Sequence, residues 1–249
     1  MTKNAIYTIE QNTPIAKDVY CMRLLGPTSA LHSPGQFVNV QLAGFYLRRP
    51  ISVCSWGPDS LSIIYKILGK GTARMAALRA GETLDLLVGL GNGFSVQPGL
   101  GQKVVLVGGG VGVPPLYGLA QSLVRQGTVP TVVMGYASAP DVFYQKEFEA
   151  LGCPVAVATM DGTAGEAGLV TGPLQKLPYN YYYACGPQAM LRAVYGLGQQ
   201  KGAVGQLSFE ERMGCGFGAC MGCSCHTLVG PKRVCLDGPV FSSQEVLFA

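Results

Sequence analysis

Four cysteines near the C-terminus have the spacing of a cluster-binding loop. Cys215, Cys220 and Cys223 follow the pattern Cys-x4-Cys-x2-Cys, and Cys235 comes after eleven intervening residues. The small residues between them let backbone N–H groups approach sulfur, which favours a [2Fe–2S] cluster. A structural zinc ion is the alternative, but zinc sites usually contain two Cys-x2-Cys pairs and only one is present. Cys225 is an alternative ligand, and we favour Cys223 because it preserves the two-residue spacing.

Two turns that follow apolar runs are candidates for binding a dinucleotide. The run Val104–Val107 leads into Gly108–Gly112 and a helical stretch, and a strand, glycine turn and helix N-terminus can cradle a pyrophosphate. A tight connection without a ligand is the alternative. The second turn, Cys185-Gly186-Pro187, ends another apolar run, at the edge where open α/β sheets bind ligands. A buried core cysteine is the alternative for Cys185.

An arginine and a serine three residues apart form the third candidate site. Arg49 and Ser52 lie in the extended segment Arg48-Arg49-Pro50-Ile51-Ser52. Such a segment can place a guanidinium on a phosphate and a hydroxyl on a ring, whereas a solvated basic pair is the alternative. The segment Gly69–Thr72 offers backbone amides and a helix N-terminus as a second anion site.

The elements that must position these residues fall into three regions. Residues 1–99 contain short runs of branched and aromatic residues separated by Gly and Pro, which predicts an antiparallel β-barrel. Residues 100–205 alternate apolar strands with helices, which predicts a parallel α/β sheet. Residues 206–249 hold the cysteine loop and show little periodic structure, so we expect a small third domain. The predicted strands are 7–9, 19–24, 36–42, 61–67, 104–107, 131–136, 155–159 and 181–185, and the predicted helices are 71–78 (capped by Thr72), 115–126, 142–151 and 188–200.

The composition excludes several classes of protein. Hydrophobic residues make up 48% of the chain and charged residues 13%, which excludes intrinsic disorder. The net charge of +4 is mild and contains no basic run, so we expect no nucleic-acid partner. The uncharged stretch 104–124 is interrupted by glycines and prolines, and therefore fits a strand, turn and helix better than a membrane span. The N-terminus has no apolar signal core, so we expect a cytoplasmic protein.

Taken together, these motifs resemble the ferredoxin-reductase superfamily, in the order barrel, nucleotide domain, cysteine cluster. Arg49-Pro50-Ile51-Ser52 is similar to the flavin motif Arg-x-Tyr-Ser/Thr, with Ile51 in place of Tyr. Gly108–Pro114 resembles the nicotinamide-nucleotide loop and Cys185-Gly186-Pro187 the nicotinamide-side motif. The cysteine spacing with its ending Cys235–Phe241 resembles the electron-transfer subunits of type B dihydroorotate dehydrogenases. The resemblance covers essentially the whole chain.

This resemblance implies FAD on the barrel, NAD(H) on the α/β domain and a [2Fe–2S] cluster in the tail, with hydride passing between nicotinamide C4 and flavin N5. It assigns Arg49 to the FAD pyrophosphate, Gly71 and Thr72 to the same diphosphate, and Ser52 to flavin N5. Ser52 and Cys185 are the expected catalytic residues, with Cys185 near the nicotinamide. The other residues expected to bind FAD or NAD(H) are Pro50, Ile51, Tyr65, Lys66, Gly109, Gly110 and Gly112.

The implied function is electron transfer from an FMN-containing dihydroorotate dehydrogenase catalytic subunit through [2Fe–2S] and FAD to NAD+ in pyrimidine (UMP) biosynthesis. A heterotetramer with two copies of each subunit is expected. NADH is preferred to NADPH because residues 137–144 contain no Arg or Lys for a 2′-phosphate, and Asp141 could meet a ribose hydroxyl. The alternatives are a reductase subunit of a hydrogenase or bifurcating transhydrogenase, and a non-enzymatic zinc-bound scaffold.

Overall fold

The N-terminal part of the chain forms a closed barrel of six antiparallel strands. The computed structural model describes residues 2–248. The barrel strands, in the spatial order β1-β2-β5-β4-β3-β6, are β1 (Lys3–Ala16), β2 (Val19–Leu25), β3 (Phe37–Val40), β4 (Arg49–Trp56), β5 (Ser60–Lys66) and β6 (Thr83–Leu90). The short helix α1 (Lys70–Ala76) connects β5 to β6. The predicted antiparallel barrel is thereby confirmed.

The second part is a seven-stranded sheet in which all strands except the last run parallel. Its order is β10-β9-β8-β7-β11-β12-β15, from β7 (Val104–Gly109), β8 (Thr131–Tyr136), β9 (Val155–Thr159), β10 (Glu166–Ala167), β11 (Tyr181–Cys185), β12 (Val204–Ser208) and β15 (Val240–Ser242). The helices are α2 (Val113–Arg125), α3 (Gln145–Ala150), α4 (Thr171–Lys176) and α5 (Gln188–Gln200). The predicted parallel α/β sheet is confirmed. No helix within residues 2–248 is long and apolar enough to cross a membrane.

The C-terminal part is more regular than the sequence predicts. Residues Ser224–Thr227 (β13) and Gly230–Arg233 (β14) form a two-stranded hairpin, and β15 pairs antiparallel with β12. Strand β12 runs across the expected boundary at residues 205/206. These strands are three to five residues long, too short for their alternation to stand out from the surrounding loops.

Other differences from the predicted elements have local causes. The predictions omit β4, β6 and α4, and they shorten β1 to three residues of a strand that spans Lys3–Ala16. The helix predicted over 142–151 begins only at Gln145, because Tyr144 adopts a left-handed backbone with φ of 66°. Thr72 does not cap α1; the helix begins earlier, with Gly69 at the N-cap position.

Helix α2 is buried between the sheet and the barrel, which explains the uncharged stretch in the sequence. Its residues Leu116, Leu119 and Ala120 are fully buried in one core that also contains Cys54 of β4. At Gly118, a Cβ atom would lie only 2.7 Å from the Cys54 carbonyl oxygen, so the helix meets the strand as closely as backbone packing permits. The two parts of the chain are thus packed together through one continuous apolar core.

A polar contact supports this packing at the edge of the barrel. The Lys66 ammonium at the end of β5 lies 3.3 Å from the Asp141 carboxylate, in the loop after β8. The Ser138 hydroxyl donates to the same carboxylate over 2.7 Å, and the Lys17 amide donates to the Pro140 carbonyl. The hydrogen bond from Ser138 outweighs burial and, with Lys66, lowers the pKa of Asp141 below its usual value.

We expect Asp141→Asn to lower the free energy of unfolding by about 1 kcal/mol at neutral pH, the typical worth of such an interaction. Because the folded pKa is lowered, this contribution is complete above the ordinary Asp pKa of about 4 and is lost as the pH falls through the folded value. Urea titrations of wild type and variant across acid pH measure the difference. Glu166→Gln, which breaks the exposed pair with Lys176, is the control and should change stability by less than about 0.5 kcal/mol. A difference for Asp141→Asn that persists unchanged into strong acid contradicts this assignment.

Candidate functional site

A cleft of about 270 Å³ opens where the barrel meets the segment that follows β12. Seven of the residues predicted to bind a cofactor line it, namely Arg49, Pro50, Ile51, Ser52, Tyr65, Lys66 and Thr72. Its walls combine apolar side chains such as Ile51 and Ile64 with the cations of Arg49 and Lys66 and the hydroxyl of Ser52. An aromatic ring system carrying a diphosphate needs this combination of surfaces.

Gly71 does not line the cleft, but it makes room for the arginine that does. A Cβ atom at position 71 would lie 2.3 Å from Arg49 Nε, so a side chain there would displace the guanidinium. Arg49 also donates from Nη1 to the Leu47 carbonyl over 2.7 Å and stacks over the Phe45 ring at 5.0 Å. The guanidinium is therefore held by the Leu47 carbonyl and the Phe45 ring, in the space that Gly71 leaves open.

The other barrel residues in the cleft have partners within the protein. The Tyr65 hydroxyl donates to Asn12 Oδ1 over 2.8 Å, and the Asn12 amide in turn donates to two carbonyls at the end of α1. The Thr72 hydroxyl accepts hydrogen bonds from the amides of Leu68 and Gly69. These contacts fix the side chains before any ligand arrives.

The opposite wall of the cleft is formed by residues that the sequence analysis missed. Ser208 ends β12, and Phe209, Glu210, Glu211 and Met213 lie between that strand and the first cysteine of the loop; none of them carries a motif of its own. Glu210 is exposed to solvent at the cleft. The protein around its carboxyl removes part of the water that would stabilise the charge, and this desolvation raises the pKa of Glu210. The only sequence signal was their position, directly between a buried strand and the cysteine loop.

A second, mostly apolar groove of about 350 Å³ crosses the carboxyl edge of the parallel sheet. Gly109 and Gly110 line it beside β7, Tyr136 beside β8, and Pro187 and Met190 after β11. No Lys or Arg is among the described residues that line the groove. This is the edge at which open α/β sheets bind dinucleotides.

The three predicted glycines of this groove have different surroundings. Gly110 has a positive φ of 53° and open space beside it, whereas Gly109 lies against the side chains of Pro187 and Met190. Gly112 does not line the groove; a Cβ atom there would lie 2.2 Å from the Cys185 carbonyl oxygen. Gly112 therefore serves the packing of the glycine turn against the end of β11.

Cys185, predicted to lie near the nicotinamide, lines neither the groove nor the cleft. It is 2% exposed, and it pairs in register with Ser208, whose hydroxyl makes a hydrogen bond with the thiol. Burial, reinforced by the nearby Glu210, raises the pKa of the thiol to about 12. Cys185 is therefore a neutral thiol at physiological pH. Asp141, the other residue considered for this region, is instead engaged with Ser138 and Lys66.

The cysteines of the C-terminal loop meet as two pairs. Cys215 lies beside Cys220, and Cys223 lies beside Cys235, whose backbone amide donates to Cys223 Sγ over 3.4 Å. Although burial acts to raise it, amide hydrogen bonds from Phe217, Cys220 and Ala219 hold the pKa of Cys215 at about 6. Burial raises the pKa of Cys235 to about 12, and the adjacent Cys223 thiol adds to this effect because it also disfavours ionisation.

The paired arrangement fits a binuclear cluster. No three Cys, His, Asp or Glu side chains among residues 2–248 converge on one point as a single bound ion requires. A [2Fe–2S] cluster instead takes two cysteine ligands for each iron, and the loop amides that point at sulfur suit its negative charge. Cys225 lies in β13, where it is partly buried against the core, and the pKa of its thiol is raised mainly by burial.

Comparison with known proteins gives a consistent picture. A family model described as the iron-sulfur cluster binding domain of dihydroorotate dehydrogenase B matches residues 210–247. The chain is 41% identical over 259 residues to the "Dihydroorotate dehydrogenase B (NAD(+)), electron transfer subunit" of Geobacillus sp. (strain WCH70), covering 99% of this chain and 100% of that protein. The protein of the same name from Shouchella clausii (strain KSM-K16) is 42% identical, with 98% of both chains covered.

Among solved structures, an NADH-dependent reduced ferredoxin-NADP oxidoreductase, described in relation to flavin-based electron bifurcation, superposes with a TM-score of 0.88. It is 29% identical, and the match covers 98% of this chain and 90% of that chain. The likeness therefore extends over the barrel, the sheet and the cysteine loop together.

We expect Cys220→Ser to abolish the [2Fe–2S] EPR signal of the reduced protein, because Cys220 belongs to one of the two thiol pairs. Cys225→Ser, the matched control in the same region, should retain the signal and the iron content. Anaerobic EPR after dithionite reduction, with iron analysis, measures both. The reverse result would show that the ligand set is chosen wrongly.

We expect Arg49→Ala to weaken FAD binding about 10- to 100-fold, the worth of a charged hydrogen bond to phosphate. Arg48→Ala is the control, because Arg48 is paired with Asp85 at 2.9 Å and does not line the cleft. Fluorescence titration of the deflavinated proteins with FAD gives the two Kd values. An unchanged Kd for Arg49→Ala places the diphosphate elsewhere.

Proposed function

The chain belongs to the family of dihydroorotate dehydrogenase B (NAD+) electron transfer subunits, and from this premise we propose the role of each of its sites. It passes electrons from an FMN-containing dihydroorotate dehydrogenase catalytic subunit to NAD+, in de novo pyrimidine biosynthesis. The observation that carries the proposal is the junction of the three sites. Met213 lines the flavin cleft and lies two residues before Cys215. Cys185 pairs with Ser208 of the cleft and lies two residues before Pro187 of the dinucleotide groove.

The cleft binds FAD, and its residues have separable tasks. The Arg49 guanidinium, which stacks on the Phe45 ring in the space left by Gly71, binds the diphosphate. Ser52 hydrogen-bonds the ring system near its reactive nitrogen, and Tyr65 and Ile51 supply apolar contact. FAD supplies the chemistry that side chains lack, since it exchanges both hydride and single electrons.

The groove at the carboxyl edge of the sheet binds NAD(H). Gly109 and Gly110 let the dinucleotide backbone approach the turn, and the apolar groove walls accept its rings. The neutral Cys185 thiol is buried between the two sites, where it excludes water and adds no charge. Since no Lys or Arg within residues 2–248 lines the groove, a 2′-phosphate has no charged partner among them, and NAD(H) is preferred to NADP(H).

The four cysteines Cys215, Cys220, Cys223 and Cys235 hold the [2Fe–2S] cluster, and the surface around them contacts the catalytic subunit. Phe217 and Met221, both in the cluster loop, are 52% and 55% exposed, as apolar anchors of an interface are before assembly. Met213, which also lies near the cysteines, lines the flavin cleft instead. We propose a heterotetramer with two copies of each subunit, located in the cytoplasm.

A reductase subunit of a bifurcating transhydrogenase is the second candidate function, favoured by the structural match to the NADH-dependent ferredoxin-NADP oxidoreductase. The relatives with 41–42% identity over nearly the whole chain carry the other name and weigh more. A zinc-bound scaffold is disfavoured by the pairwise arrangement of the thiols.

Co-expression of the chain with the dihydroorotate dehydrogenase catalytic subunit of the same organism tests the function. We expect a complex of two copies of each by light scattering, and dihydroorotate-dependent reduction of NAD+. NADP+ should be used at least about tenfold less efficiently, because its extra phosphate finds no charged partner.

The same experiment includes surface variants. Phe217→Ser combined with Met221→Ser should weaken the complex but leave FAD and the cluster in place. Ile6→Ser, at an equally exposed apolar side chain on β1, should leave assembly unchanged. A protein that binds both cofactors but neither assembles nor accepts electrons from dihydroorotate would support the second candidate.

A further inference from the structure

One buried amide connects the barrel directly to the cysteine loop. Asn39 of β3 is 1% exposed, and its Nδ2 donates to the main-chain carbonyl of Cys215 over 3.2 Å. The two residues are 176 positions apart in sequence. Since the Cys215 carbonyl can only accept a hydrogen bond, this contact also determines which way the Asn39 amide faces.

The other half of this amide is unpaired. Asn39 Oδ1 is buried and has no hydrogen-bond partner among the described residues. A buried polar atom without a partner destabilises the folded state, so packing alone would be served better by an apolar residue. Asparagine at position 39 is therefore explained by the hydrogen bond that its Nδ2 donates to Cys215, which offsets the cost of leaving Oδ1 unpaired.

The cysteine loop is shaped to receive the amide. A Cβ atom at Gly216 would lie 1.9 Å from Asn39 Nδ2, and Gly216 has a positive φ of 79°. Only glycine fits here, because both the space and the backbone conformation exclude a side chain. Beyond Gly216 the loop folds back, and the Ala219 amide donates to Cys215 Sγ over 3.2 Å.

On its other side, Asn39 adjoins the strand that carries the flavin motif. It pairs in register with Pro50 of β4, between the residues assigned to the diphosphate and to the ring. The Arg48 guanidinium donates to the Asn39 main-chain carbonyl over 3.2 Å, which ties the two strands together. The path from Pro50 to Cys215 therefore consists of one strand pair and one side-chain hydrogen bond.

We propose that Asn39 is a positioning residue that holds the peptide after Cys215 against the flavin-binding strands, and so sets the placement of the cluster relative to FAD. This inference rests on the proposed occupants of the two sites. The side chain does not ligate iron and does not line the flavin cleft. It acts by holding Cys215 and the loop amides in the orientation that the cluster requires.

The test compares Asn39→Asp and Asn39→Leu with wild type. Aspartate keeps the shape and loses the donor, whereas leucine also removes the unpaired oxygen. We expect both to retain FAD, to shift the midpoint potential and EPR spectrum of the cluster, and to slow flavin-to-cluster electron transfer about tenfold or more. Leu24→Ala, in the barrel core on β2, three strands away from β3, is the control for lost stability and should change neither the potential, the EPR spectrum nor the transfer rate.

Hydrogen–deuterium exchange of the protein without its cluster provides a readout that does not depend on cofactors. Amides of residues 216–220 should exchange faster in both variants, with the remainder of β3 unchanged. Wild-type exchange, potential and EPR spectrum in Asn39→Leu would overturn the proposal, as would loss of FAD with the cluster unaltered. If wild type itself binds neither FAD nor a cluster, the proposed function fails, whereas the exchange result still decides the role of Asn39.

Discussion

The close approach of helix α2 to strand β4 is the contact on which the arrangement of the sites depends. Gly118 allows the helix backbone to lie against the Cys54 carbonyl, with apolar side chains closing around the contact. The N-terminal end of this helix carries the glycine turn of the dinucleotide groove, and the start of β4 carries Arg49 and Ser52. A larger residue at position 118 would push the groove away from the flavin cleft, so the packing sets the distance between the two cofactors.

The third site is tied to the same framework by polar rather than apolar contacts. Asn39 donates to the cysteine loop, and the Asn92 side chain donates to the carbonyls of Leu236 and Asp237. Strand β15 then returns the chain to the sheet beside β12. The cluster region is thus anchored to both the barrel and the sheet. This anchoring suits a centre that must stay close to the flavin while presenting exposed Phe217 and Met221 to another subunit.

The sequence predicted the parts of the sites that are contiguous in the chain. The cysteine spacing, the glycine turn and the Arg49–Ser52 segment each combine residue type with position, and the buried parallel strands are long enough to be recognised. Contacts made across the fold left no such signal. Glu210 and Met213 line the flavin cleft because they follow the end of β12, and Asp141, which the sequence offered to a ribose hydroxyl, is paired with Lys66 of the barrel. Gly112, predicted to border the nucleotide, instead packs against Cys185.

In the proposed function, one chain holds flavin and cluster in electronic contact with a dinucleotide. The visible absorption spectrum of the purified full chain under anaerobic conditions, before and after addition of NADH, tests it most directly. We expect overlapping flavin and iron–sulfur bands that both bleach with NADH. A colourless protein, or flavin bands that bleach in a protein with no iron–sulfur absorption, would contradict it.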